Sequence, residues 1–157
     1  MSNSGFIAIS ASERNSLGLK ADGSVVAWGD NDTGQANTPS PNTGFIAIAA
    51  GGKHNLGLKA DGSVVAWGSN FFGETNIPPP NMGYIAAAAN GKQSFGLKAD
   101  GSIVAWGCGV PPDNYGQCDL PFPNEAFTDV ASGFYHSLGL KADGSIVAWG
   151  CDREANY

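Results

Sequence analysis

Long stretches without a helix breaker are what this sequence has least of. Its 23 glycines and nine prolines run through all 157 residues, and only one stretch, 6–17, reaches a dozen residues without either. That distribution excludes a fold built on long helices. Charge is also scarce. Charged residues make up 14% of the chain, and eight Lys and Arg against 14 Asp and Glu leave a net charge of −6, so the basic footprint that nucleic-acid binding needs is missing. No apolar run approaches the roughly 20 residues of a membrane span. The opening Met1-Ser2-Asn3-Ser4 has neither the charged nor the apolar region of a signal peptide, so secretion would need a leader outside this sequence. Three cysteines are too few for a disulfide framework.

What is present is repetition. The string GLKADGSVVAWG stands at 18–29 and 57–68, and GLKADGSIVAWG at 96–107 and 139–150; the four tryptophans, Trp28, Trp67, Trp106 and Trp149, are spaced 39, 39 and 43 residues apart. A period of about 40 signals an array whose units bury their apolar faces against one another. Each unit opens on a short aromatic and β-branched run, such as Phe6-Ile7-Ala8-Ile9 or Phe45-Ile46-Ala47-Ile48, which is strand chemistry. A second apolar run, an Asp-Gly pair and the run ending in Ala-Trp-Gly follow, and Asp-Gly between apolar runs predicts a type I′ hairpin. A polar loop then closes in Gly34-Gln35, Gly73-Glu74 or Gly116-Gln117, before a proline-containing connector. The chain therefore reads as all-β, a β-propeller of four antiparallel blades of about 39 residues at approximately 5–43, 44–82, 83–125 and 126–157, forming one repeat domain.

The second unit shows the whole pattern, from Ala49-Ala50-Gly51-Gly52-Lys53-His54-Asn55-Leu56 to Trp67-Gly68-Ser69-Asn70-Phe71-Phe72-Gly73-Glu74. It closely resembles the repeat of the regulator of chromosome condensation superfamily, and most of all its bacterial branch, which includes the type II β-lactamase inhibitor propeller. Members of that superfamily usually close a ring of seven blades. The resemblance thus leaves two architectures open here: a ring of four, or part of a larger ring completed by more chain or another copy. It also implies a non-catalytic protein-binding role. A bacterial-type secreted or surface-associated location is expected over a cytoplasmic one.

The copies themselves argue against catalysis. Asn15, His54, Gln93 and His136 occupy one repeat position, and a site that accepts Asn, Gln or His makes hydrogen bonds rather than transferring protons. Asp30-Asn31-Asp32-Thr33-Gly34 opens like a calcium loop but lacks the closing glutamate and has Pro41 in its place. No catalytic, cofactor or metal site is therefore expected. Cys108 and Cys118 bracket an inserted loop that a disulfide would staple, although Cys151 holds the same place after Trp-Gly as Cys108 and repeat drift alone would explain the pair.

Function is sought where the copies differ. The loop after Trp-Gly carries Phe71, Phe72 and Tyr115, and the turn before the second strand carries Arg14, Lys53, Lys92, Phe134 and Tyr135. Resemblance to the inhibitor branch implies that aromatics in these two loop classes form a binding face, and flanking Arg and Lys suit an interface anchor. A protein partner is expected, with a homo-oligomer completing a larger propeller as a further possibility, and no nucleic acid or membrane. The runner-up is a lectin-like carbohydrate-binding propeller with one aromatic pocket per blade, for which the loops are too unlike. A nucleotide-exchange factor for a small GTPase ranks below both, since no wedge residue can be placed.

Overall fold

The computed structural model describes residues 4–109 and 115–150. Among these residues there are twelve strands and no helix: β1 (Phe6–Ala11), β2 (Asn15–Lys20), β3 (Val25–Gly29), β4 (Phe45–Ala50), β5 (His54–Lys59), β6 (Val64–Gly68), β7 (Tyr84–Asn90), β8 (Gln93–Lys98), β9 (Ile103–Gly107), β10 (Phe127–Ser132), β11 (His136–Lys141) and β12 (Ile146–Gly150). They form four antiparallel three-stranded sheets, each in simple chain order, so every unit of the repeat is one blade.

The register is the same in all four blades. Ser16 faces Trp28, as Asn55 faces Trp67, Ser94 faces Trp106 and Ser137 faces Trp149. Each first strand carries a register shift after its aromatic residue, at Ile7, Ile46, Ile85 and Thr128. A bulge leaves its extra residue unpaired, which explains why all four of these side chains are exposed.

The hairpin tip departs from the expected type I′ turn. Asp22, Asp61, Asp100 and Asp143 do not adopt positive φ; only the glycines after them do. Lys20 accepts the Gly23 N–H at 2.9 Å and donates its own to Ser24 O at 2.8 Å, the pattern of a three-residue loop with glycine in the left-handed position. The reason lies in the following serine. The Asp22 carboxylate accepts from Ser24 N at 2.9 Å and Ser24 Oγ at 2.6 Å, and those bonds hold its acid below the usual carboxylate range in every copy.

Blades stack in sequence through one repeated contact. Leu17, Leu19 and Val25 of the first blade cluster with Phe45, Ala50 and Trp67 of the second. The second and third blades repeat this through Leu56, Leu58 and Val64 against Tyr84 and Trp106. The third and fourth repeat it through Phe95, Leu97 and Ile103 against Phe127, Val130 and Trp149. Each blade thus has a leucine face and an aromatic face, and the core is three such seams rather than one centre. The indole N–H groups pin the seams: Trp67 donates to Gln35 O at 3.1 Å, Trp106 to Glu74 O at 2.8 Å and Trp149 to Gln117 O at 2.9 Å. Within a blade, Phe45 lies over Gly57, where an added Cβ would stand 2.5 Å from the ring, and Lys59 Nζ caps the ring at 3.7 Å. The four blades form an arc, not the closed ring of four that was one of the two expected architectures.

Candidate functional site

Antiparallel order decides where the variable loops go. The turn before each second strand and the loop after each third strand emerge at the same end of a blade, while the Asp-Gly tips lie at the other. Loops with no sequence in common are thereby gathered on one face.

On that face is a groove of about 420 Å³. Its walls come from three turns, carrying Glu13 and Arg14, Gly52 and Lys53, and Gly91 and Lys92, together with Phe71 and Phe72 of the loop after β6 and Phe134 of the turn before β11. Six of the eight residues singled out from the sequence therefore line one concavity. Phe71 is 85% exposed. It meets Phe72 edge-on, with ring centroids 4.9 Å apart, and Lys92 Nζ lies 4.1 Å from the Phe72 ring. The other two residues adjoin the groove: Tyr135 packs on Phe134 at 4.5 Å and on Tyr115 at 4.8 Å. Phe134 and Tyr135 also line a smaller hollow of about 120 Å³ with Lys92, Gln93 and Gln117.

Charge is concentrated there. Of the chain's eight Lys and Arg, four are the repeat lysines and Arg153 falls outside the described residues. The remaining three, Arg14, Lys53 and Lys92, all line the groove. Arg14 lies 3.8 Å from Asp30, a surface pair of small energetic weight.

The loop bearing Phe71 and Phe72 is held from below. Buried Glu74 accepts the Phe72 N–H at 2.7 Å, as Gln35 accepts that of Thr33 at 2.9 Å. Gln117 accepts that of Tyr115 at 2.5 Å. The Gly-Gln or Gly-Glu ending is thus a loop brace, while its backbone carbonyl receives the next blade's tryptophan. Cys108 and Cys118 form a disulfide, with Cα atoms 6.0 Å apart, at the base of the inserted loop; residues 110–114 of that loop and Cys151 lie outside the described residues.

The alternating position works between blades. Asn15 Nδ2 donates to Asn55 Oδ1 at 2.5 Å, His54 Nε2 pairs with Ser94 Oγ at 2.9 Å, and Gln93 Nε2 donates to Gly133 O at 2.6 Å. Burial pushes the His54 imidazole down to about 4, against a smaller opposing pull from the Gln93 backbone. His136 is exposed. In the loop from Asp30 to Gly34, Asp30 accepts the Asp32 N–H at 3.1 Å. Among the described residues no group of three or more His, Cys, Asp or Glu is placed to hold a metal.

One repeated device escaped the reading of the sequence. Asn42 bonds both backbone groups of Val25 at 2.8 Å, and Asn81 and Asn124 do the same for Val64 and Ile103. The connector is thereby clipped to the third strand of its own blade. The signal was there in the dipeptides Pro41-Asn42, Pro80-Asn81 and Pro123-Asn124.

The family model described as the regulator of chromosome condensation (RCC1) repeat matches residues 6–35, 45–74 and 127–154. No individual curated protein sequence matches. Among solved structures, the CRINKLY WD40 ectodomain of the Arabidopsis thaliana receptor kinase ACR4 is similar at 30% identity and a TM-score of 0.73, over 90% of this chain and 49% of that one. Prp20p from Saccharomyces cerevisiae is similar in fold, at 22% identity and a TM-score of 0.75 over 96% of this chain and 46% of its own. The computationally designed Ika4 protein shares the fold at 19% identity and a TM-score of 0.58, over 96% of this chain and 93% of its own. The chain spans about half the length of the two natural relatives.

Proposed function

We propose, for a chain that belongs to the regulator of chromosome condensation repeat family, a non-catalytic protein-binding β-propeller module that uses the loop-bearing face around the 420 Å³ groove. A protein-interaction role is the general property of this fold that fits the comparisons; Prp20p is a relative characterised for binding Gsp1p and histones. The single observation that carries the reading is convergence. Every described Lys and Arg outside the repeat string, and three aromatic rings absent from the first unit, line one groove.

That lining favours one kind of ligand. Phe71 and Phe134 offer apolar contact, and Arg14, Lys53 and Lys92 ring it with cations, which suits an apolar side chain flanked by carboxylates on a partner protein. The lectin-like alternative is disfavoured because the groove is one asymmetric feature rather than a pocket repeated in each blade.

The test is selection of random peptides displayed on phage against the immobilised chain, followed by calorimetry on the enriched sequences. Acidic peptides with an aromatic or large aliphatic anchor should emerge, and Phe71→Ala should weaken them about thirtyfold, or ~2 kcal/mol, with stability unchanged within about 0.5 kcal/mol. Peptides that bind the Phe71→Ala, Phe134→Ala double variant equally well would sink the proposal. So would signal confined to a glycan array, which would promote the carbohydrate reading.

A further inference from the structure

The two ends of the arc carry opposite halves of the seam that joins its blades. In the first three blades the leucine face is covered: Leu17, Leu19 and Val25, with their counterparts Leu56, Leu58 and Val64 and then Phe95, Leu97 and Ile103, are all at most 2% exposed. The fourth blade presents the same face as Leu138, Leu140 and Ile146, which are 38%, 39% and 67% exposed. At the other end the aromatic face is uncovered. Trp28 is 46% exposed where Trp67, Trp106 and Trp149 are buried, and Ile9 is 81% exposed where its counterpart Val130 is buried. The sequences at these positions are nearly the same in every unit, so the difference is only whether a blade stands opposite.

We propose that a second copy of this chain covers both ends, the aromatic face of one copy's first blade docking on the leucine face of the other's fourth blade, so that two arcs close head to tail into one ring with two equivalent seams. Three observations select this occupant. The seam is continuous with one the chain already makes three times, with the same residue types on each side. The uncovered leucine face is concave, a hollow of about 200 Å³ walled by Ala131, Leu138, Leu140 and Ile146, with Asp129 at its side where the other blades carry Ala8, Ala47 and Ala86. The polar clamp is repeated as well: His54 meets Ser94 across a seam at 2.9 Å, and the repeat places His136 and Ser16 in those two positions at the two open ends.

Such a contact is heterologous, with different surfaces on its two sides, and it has a signature that a self-complementary dimer lacks. Ile9→Asp spoils only the first-blade face and Ile146→Asp only the fourth-blade face, and both side chains are exposed enough for the arc itself to stay folded, checked by circular dichroism and thermal melting. Sedimentation equilibrium on the full chain should give twice the monomer mass for the wild type and the monomer mass for each variant alone. An equimolar mixture of the two variants should recover the dimer mass, because the mixture restores one intact seam. A wild type that stays monomeric at all concentrations up to about 1 mM would overturn the proposal. An effect of only one variant, or no recovery on mixing, would overturn head-to-tail docking; an unlimited ladder of larger species would overturn closure at two copies. The groove lies on the loop face rather than on these sheet faces, so peptide binding and assembly fail or succeed separately.

Discussion

Exchanging His54 for glutamine separates a buried imidazole from everything else that titrates in this fold. Glutamine already fills the equivalent position at residue 93, where its Nε2 bonds across a seam at 2.6 Å. It can therefore replace the hydrogen bond to Ser94 Oγ without carrying a titratable proton. In the native chain burial lowers the His54 pKa from 6.5 to about 4, because a charged imidazole would be fully buried in the seam between the second and third blades. The sign follows from linkage. The unfolded chain takes up the proton first as pH falls below 6.5, so the stability held above that pH drains away until the folded pKa is passed near 4. The full displacement is worth roughly 3 kcal/mol at about 1.4 kcal/mol per unit. Urea midpoints measured from pH 8 to pH 4 should fall steeply in the wild type below 6.5 and much less in His54→Gln, so that the two curves converge or cross toward pH 4. The repeat aspartates do not confuse the window. Their carboxyls are lowered from 3.8, so their contribution is lost only as pH falls below that value. Equal acid slopes for the two proteins between 6.5 and 4 would refute the argument that His54 is buried neutral.

Three other perturbations test the seams and the loops. Trp67→Ala removes a buried indole and its bond to Gln35 O, and should cost about 3–5 kcal/mol; Trp28→Ala, half exposed, should cost about half as much in dilute solution, and equal losses in chemical denaturation would contradict the exposed first-blade face. Gly57→Ala places a methyl 2.5 Å from the Phe45 ring and should destabilise by about 1–3 kcal/mol through overpacking, with a neutral result showing that the ring moves freely. Cys108→Ser with Cys118→Ser opens a loop whose ends are ten residues apart; the chain-entropy cost is about 2–3 kcal/mol, read as a lower denaturation midpoint that reductant no longer shifts.

Much of the fold was legible because the repeat states it four times. The strand runs, the Asp-Gly tips and the polar loops all fell where their side-chain chemistry placed them. The candidate face was legible for a topological reason: in a three-stranded meander the first turn and the exit loop share an end, so Phe71, Lys53 and Phe134 had to emerge together once the strands were known. The turn type was misread because Asp-Gly alone favours positive φ at both residues, whereas Ser24, Ser63, Ser102 and Ser145 supply two hydrogen bonds that keep the aspartate in its ordinary conformation. The Pro-Asn clip was less legible because each asparagine bonds a strand residue 17 or 21 positions earlier, a pairing no local pattern announces.

That the blades form an open arc was the part no single unit could reveal, and the reason is physical. Leu58 and Leu140 sit in the same string, Leu-Gly-Leu-Lys-Ala-Asp-Gly-Ser, yet one is buried and the other 39% exposed. Burial in an array belongs to the neighbour, not to the residue. The fourth blade keeps Leu138, Leu140 and Ile146 on its uncovered face, beside Asp129 where the other blades have alanine, and the first keeps Ile9 and Trp28. Outward faces that retain most of the seam's apolar residues are those of units still able to stack on another blade.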